Sequence, residues 1–166
     1  TSRGLGDVYK RQTEDWNIEA GNDLAALRAS GIVRRGNKIL LDHVLDTGEY
    51  WLPGGHVKIG ETTENALKRE FQEELTVAIS DVHLTSIIEN FRHWHGYRTH
   101  VVEFIYVVED SLDISDTPVL TADNDNVEKR WVEVSELSNL TTSPSNLTEL
   151  LTDLSKNLRH FVSRDR

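Results

Sequence analysis

Three carboxylates, Glu70, Glu73 and Glu74, stand at i, i+3 and i+4 in a stretch with helical character. At about 100° per residue they fall within about 100° of one helix face. An apolar stripe of Leu67, Phe71 and Leu75, at i, i+4 and i+8, runs directly beside them. A position next to the core stripe, not opposite it, predicts that they face a cleft. Carboxylates so spaced repel one another by roughly a few tenths of a kcal/mol per pair in an isolated helix. A hard divalent cation would resolve that repulsion, and an all-oxygen donor set suits Mg²⁺ or Mn²⁺. Taken without their surroundings, three such glutamates more often mean a solvated acidic face.

The elements that must position these residues follow from the pattern around them. The spacing predicts a helix over Thr62 to Leu75. Before it come two apolar runs, Ala29 to Val33 and Ile39 to Leu45, joined at Gly36-Asn37, a pair suited to a hairpin turn. A polar turn then leads through Tyr50-Trp51-Leu52 to Pro53-Gly54-Gly55. After the helix, Leu84 to Phe91 and His100 to Val108 read as strands separated by a polar, aromatic segment, with acidic loop from Glu109 to Asp116. Asp123 to Asn126 reads as loop and Lys129 to Val134 as a short strand, with Trp131 expected in the core. Ser135 to Leu137 and then Pro144 to Leu158 read as helical, burying Leu147, Leu150, Leu151 and Leu154. The fold class is α/β, a single domain with a mixed β-sheet. Residues 1–12 are expected to be a flexible leader or appended segment, residues 13–158 the domain, and residues 159–166 a polar C-terminal tail.

The flanking residues overturn the solvated-face reading. Gly55-x5-Glu61-x7-Arg69-Glu70-Phe71-x-Glu73-Glu74-x-Thr76-Val77 resembles the Nudix box, G-x5-E-x7-R-E-U-x-E-E-x-G-U with U apolar. Only the second glycine, here Thr76, departs from the pattern. From average residue usage the match would arise by chance on the order of once in a million chains of this length. The wider resemblance runs from about Leu27 to Leu154. It implies a Nudix-type α/β/α sandwich and a hydrolase that cleaves a nucleoside diphosphate linked to another moiety, by divalent metal and water attack at phosphorus. It further implies Glu73 and Glu74 as leading metal ligands and Glu70 as a further ligand or the base. The Gly54 carbonyl is implied as a ligand from the loop, and Arg69 with Glu61 as a brace between loop and helix beside the structural Gly55. The family's glycine ends the helix in a left-handed conformation, so at Thr76 the turn is expected to differ or to carry strain.

Other residues narrow the reading less. His93, His95 and His100 could be read as zinc ligands but lack a known ligand spacing, and a polar hairpin tip explains them better. Arg92, Trp94, Tyr97 and Arg98 are candidates to stack a base and touch phosphate. Glu103 and Glu128 could add a ligand or base, although no motif fixes either. No proline follows the box before Pro118, and the first tyrosine after it is Tyr97, so neither the ADP-ribose nor the diadenosine polyphosphate signature of the family is present. The partner expected is therefore a small-molecule nucleotide pyrophosphate of open identity. With 18 basic against 28 acidic residues and a net charge of −10, stable nucleic-acid binding is not expected. No apolar run approaches the roughly 20 residues of a membrane-spanning helix. The absence of cysteine and of a targeting segment makes the cytoplasm the expected location. A homodimer is carried as an open option. The rival readings are a non-catalytic, nucleotide-binding Nudix-like sensor, against which all three box carboxylates are retained, and an acidic interaction module.

Overall fold

The computed structural model describes residues 15–165. The proposed leader, residues 1–12, lies outside them. The strands are β1 (Asn17–Ala20), β2 (Asp23–Ile32), β3 (Arg34–Arg35), β4 (Lys38–Val44), β5 (Tyr50–Trp51), β6 (Gly54–His56), β7 (Val82–Trp94) and β8 (Tyr97–Val108). After them come β9 (Val119–Thr121), β10 (Asn124–Glu133), β11 (Thr142–Ser143) and β12 (Arg159–Arg164). Helix α1 spans Thr63–Leu75, a 3₁₀ turn spans Val134–Asn139, and α2 is a single turn, Leu147–Leu150.

The architecture is mixed α/β, and its strands form two mixed sheets where one was expected. The first has the order β1-β2-β8-β7-β12 with β6 also on β2; the second has β11-β5-β4-β10-β9 with β3 on β4. The turn at Gly36 is where the sequence places it, but the runs flanking it belong to different sheets. β2 pairs in parallel with β8, whereas β4 pairs with β10. The polar segment expected between β7 and β8 is mostly strand. Only His95-Gly96 turns, both with positive φ, as a tight hairpin requires.

Two apolar clusters hold these layers. One joins Leu67 and Phe71 of α1 to Ala29, Leu40 and Tyr106; the other joins Ile32, Leu41, Ile88 and Ile105 to Leu147 and Leu150. Trp131 packs against the first cluster half-buried, with the Arg35 guanidinium 4.1 Å from its ring.

The C-terminal segment departs most from expectation. A helix over Pro144 to Leu158 shrinks to one turn, because polar side chains beyond it bond the backbone locally. Asp153 accepts from the Ser155 N–H at 2.9 Å, and the Arg159 guanidinium donates to the Asp153 carbonyl at 2.6 Å. The leucines Leu147 and Leu150 are nonetheless fully buried. The polar tail expected over residues 159–166 is, over Arg159–Arg164, strand β12, paired in parallel with β7 from Arg159↔Ser86 to Arg164↔Phe91. An edge strand only six residues long with charged ends carries almost no alternation to read.

Helix α1 and the loop before it are fastened at three points. Thr62 caps the N-terminus, its hydroxyl accepting from the Asn65 N–H at 3.2 Å. Arg69 grips Glu61 by two hydrogen bonds, 2.8 Å from Nε and 3.0 Å from Nη2, and Nη2 also reaches the His56 carbonyl at 3.0 Å. At the C-terminus Thr76 adopts the left-handed conformation, φ 56° and ψ 33°. The family's turn is therefore kept with a β-branched residue in it. The Thr76 and Val77 N–H groups cap the Gln72 and Phe71 carbonyls at 3.1 and 3.3 Å.

Two predictions follow from these fastenings. Because φ > 0 strains threonine and Thr76 is exposed, Thr76→Gly is expected to stabilise the protein by about 1 kcal/mol, read as a higher urea midpoint at unchanged slope. The Arg69 hydrogen bonds hold the Glu61 carboxyl below its ordinary value of 4.5, with burial acting the other way. A depressed carboxylate contributes stability above that ordinary value and loses it as pH falls. Glu61→Gln is thus expected to cost roughly 1–3 kcal/mol at pH 7, the gap to the parent closing in acid below pH 4.5. A gap independent of pH would show that the charge on Glu61 does not matter.

Candidate active site

Strand β6 runs antiparallel to β2, with Gly55 opposite Ala29 and Gly54 opposite Ser30. Neither glycine has room for a side chain. Gly54 has φ 151° and lies on the Ala29 carbonyl, and a Cβ on Gly55 would fall inside the Glu70 carboxyl group. The glycine pair thus lets the helix bring Glu70 down against the strand.

The three carboxylates share a helix face and differ in their surroundings. Glu70 is 13% exposed and takes Nη1 of Arg69 at 2.6 Å; Glu73 is 48% exposed and takes the same Nη1 at 3.1 Å. Arg69 is accordingly held above its ordinary value, chiefly by the hydrogen bonds to Glu61. Glu74 turns inward, 15% exposed, to an ion pair with Lys129 on β10. Lys129 is also paired with Asp42, its cross-strand neighbour on β4. Burial pushes the Glu74 carboxyl up to about 7; Lys129 opposes this, and the Asp42 charge adds to it. Burial alone would lower the Lys129 ammonium, but Asp42 and Glu74 together raise it. The expected convergence is therefore partial. Among the described residues no three His, Asp or Glu side chains are gathered around one point as a metal needs, because protein cations separate these carboxylates.

Glu70 and Glu74 line a cleft of about 220 Å³ together with Asp42, Gly55, His56 and Arg28. Arg28 crosses its floor, donating to the Leu52 and Gly54 carbonyls at 3.1 Å each and to buried Glu103 at 3.2 Å. The Gly54 carbonyl thus has a cationic donor and one further lone pair. Glu103, tied as well to Ser30, lines the adjoining hollow. Glu128 does not, being held by His43 at 3.1 Å and Arg130 at 2.8 Å.

A second hollow of about 200 Å³ adjoins the first and shares Arg28, Trp51 and His56 with it. Arg92 and Trp94 both line it. Arg92 lies 4.8 Å from the Trp94 ring and 5.4 Å from that of Trp51, and the two indoles meet edge-on at 5.0 Å. Glu49 fixes this wall, accepting from Arg92 at 2.7 and 2.9 Å and from the Trp51 indole N–H at 3.0 Å. Tyr97 and Arg98 are not part of it. With a strand period of two, Arg98 falls on the opposite face from Arg92 and Trp94, 72% exposed and paired to Asp23 at 2.7 and 2.8 Å. Tyr97 stands at the hairpin end, outside the lining. The three histidines also part: His93 binds Asp165 at 3.1 Å, His95 is exposed at the turn, and His100 stacks on Phe91 at 4.1 Å. Trp51, Arg28, Asp42 and Lys129 were not marked by the sequence. Only Trp51, two residues before the Pro53-Gly54-Gly55 turn, carried a usable signal.

Comparison with known proteins places this geometry. The family model for the NUDIX domain matches residues 25–154. An ADP-ribose pyrophosphatase of Methanocaldococcus jannaschii is 27% identical over 135 residues, 64% of this chain and 74% of that protein. An uncharacterized Nudix hydrolase of Nostoc sp. is 37% identical over 84 residues, 51% of this chain and 46% of that one. The crystal structure of a MutT protein from Bacillus halodurans superposes with a TM-score of 0.65 at 18% identity, covering 84% of this chain and 89% of that chain. With the domain matched over most of its length, the fold shared and the box spacing intact, the chain belongs to the Nudix family of pyrophosphohydrolases.

Proposed function

We propose that the protein hydrolyses the pyrophosphate linkage of a nucleoside diphosphate joined to another moiety, with Mg²⁺ or Mn²⁺ held by Glu70, Glu73 and Glu74. The observation that carries this is the junction of two hollows. A carboxylate-lined cleft at Glu70 and Glu74 adjoins a hollow walled by the indoles of Trp51 and Trp94, the two sharing Arg28, Trp51 and His56. The donors fit a hard divalent ion, being carboxylate oxygens with the Gly54 carbonyl at the rim. The fit of Glu70 against Gly55, which leaves no space for a Cβ, keeps one donor close to the loop backbone.

When bound, the cation supplies charge neutralisation for the pyrophosphate and acidifies the attacking water. The protein's own groups do the rest. Glu70 serves as a further ligand or takes the proton that water releases as its oxygen joins phosphorus. Arg69 orients Glu70 and Glu73 through Nη1 while anchoring the helix through its other nitrogens. Trp51 and Trp94 offer faces for a base, with Arg92 between them adding positive charge. The bridging P–O bond breaks and leaves two phosphorylated products. Absence of cysteine accords with a cytoplasmic setting.

A panel of nucleoside triphosphates, nucleotide sugars and ADP-ribose, each with Mg²⁺ in ¹⁸O-water, tests the reaction. Label is expected on a phosphoryl product. Label on the sugar, or phosphate release from simple monoesters as the main activity, would refute the assignment. The site is tested by Glu70→Gln, Glu73→Gln and Glu74→Gln made singly. On a merely solvated face each would change stability by at most about 0.5 kcal/mol and leave turnover intact. At a metal site turnover is expected to fall about 10²–10⁴-fold or more, Glu74→Gln worst. The metal-free melting temperature should hold in Glu73→Gln, whose side chain is the most exposed. Stabilisation by added Mg²⁺ should shrink in Glu73→Gln and Glu74→Gln.

A further inference from the structure

Lys129 is a buried cation at the back of this site that neither the box nor the indole wall accounts for. Its side chain is 1% exposed, and its ammonium sits between Asp42, 5% exposed, and Glu74, 15% exposed. Asp42 and Glu74 come from β4 and α1, so the ammonium ties the second sheet to the helix that carries the box. The charges do not cancel: two carboxylates face one ammonium. The ammonium donates a hydrogen bond to Glu74, whereas the Asp42 oxygen nearest to it is buried and ion-paired without an aligned hydrogen bond, so the ammonium is shared unequally between the two acceptors.

We propose that Lys129 is a resident cation of the carboxylate site, a positioning residue that sets how strongly Glu74 is offered to a divalent ion. This rests on the reading of Glu74 as a metal ligand. The ammonium competes with any second cation for Glu74, and Asp42, pulling Lys129 toward β4, weakens that competition. Removing Lys129 would leave two adjacent buried carboxylates with only the Arg28 charge nearby, itself paired to Glu103, an arrangement a divalent ion satisfies better than water does. Removing the charge of Asp42 would release Lys129 wholly to Glu74. The two changes act on the same ammonium and are expected to shift metal affinity in opposite directions.

The test is Mn²⁺ binding to chelator-treated protein, following free Mn²⁺ by electron paramagnetic resonance, for the parent, Lys129→Met and Asp42→Asn. Lys129→Met is expected to bind Mn²⁺ about tenfold more tightly or better, and Asp42→Asn about tenfold more weakly, given the strength of close charges in a partly dry site. Asp42→Asn preserves shape and keeps the Lys129–Glu74 pair, so it decides the matter if Lys129→Met fails to fold. Affinities within twofold of a Mn²⁺-binding parent would show that the Asp42–Lys129–Glu74 chain only braces β10 against α1, and would overturn the proposal. A parent that binds no Mn²⁺ would instead overturn the reading of the carboxylates as a metal site.

Discussion

Arg69 is the hinge of the structure's logic. A single guanidinium binds Glu61 with two nitrogens, the His56 carbonyl with one of these, and Glu70 and Glu73 with the third. It therefore joins the loop after β6, the helix axis and two of the three box carboxylates. Arginine suits this place because its planar fork can serve several acceptors at fixed angles, which a lysine ammonium cannot do. The close approach of helix to strand follows from it. With Glu70 in this position that approach requires a glycine at position 55, since a Cβ there would displace the Glu70 carboxyl. The spacing of Gly55, Glu61 and Arg69 is thus one mechanical unit, in which each member has a reason for its type and its distance from the others.

How much of this was legible depends on range. The helix and its apolar stripe are local, so spacing suffices to read them, while the Arg69–Glu61 brace is legible only through the resemblance to the box. Lys129 and Asp42 meet only because β10 pairs with β4 in a register that sets them opposite each other. Nothing in either segment alone declares a buried lysine. The same holds for the division into two sheets: the hairpin at Gly36 forms between β3 and β4, but the longer run before it, in β2, pairs in the other sheet. At Arg92 to Arg98 the aromatic content was visible, but which side chains share a face was fixed by a two-residue turn and the alternation on either side of it. The C-terminal leucines marked burial correctly and helix length wrongly, because local side-chain bonds at Asp153 and Ser155 compete with helix propagation.

Thr76 shows a different relation between sequence and structure. A β-branched residue in the left-handed region is locally unfavourable, yet the turn persists because its neighbours over-determine it. Val77 must return to the core cluster, and the Gln72 and Phe71 carbonyls need donors. Strain at one exposed residue costs less than unsatisfied carbonyls and a displaced apolar side chain. The box can therefore lose its second glycine and keep its geometry.

The charge pattern carries the last inference about how such a protein handles a polyanion. Asp15, Asp42, Glu70, Glu74 and Asp123 all line the first cleft, and Arg28 is the only basic side chain among its lining residues beside His56. Arg28 is committed to Glu103, Arg92 to Glu49 and Lys129 to Asp42 and Glu74. Among the described residues each of these cations thus already has a carboxylate partner. A pyrophosphate entering this cleft would meet like charge in a partly dry setting, where repulsion is weakly screened. An added divalent cation reverses that sign locally while leaving the rest of the −10 surface unchanged. On the proposed reading, then, the metal is an electrostatic condition for binding substrate at all as well as an aid to the chemical step. The cations described near the cleft hold its acids in place, so on this reading the charge that the substrate needs is the metal's.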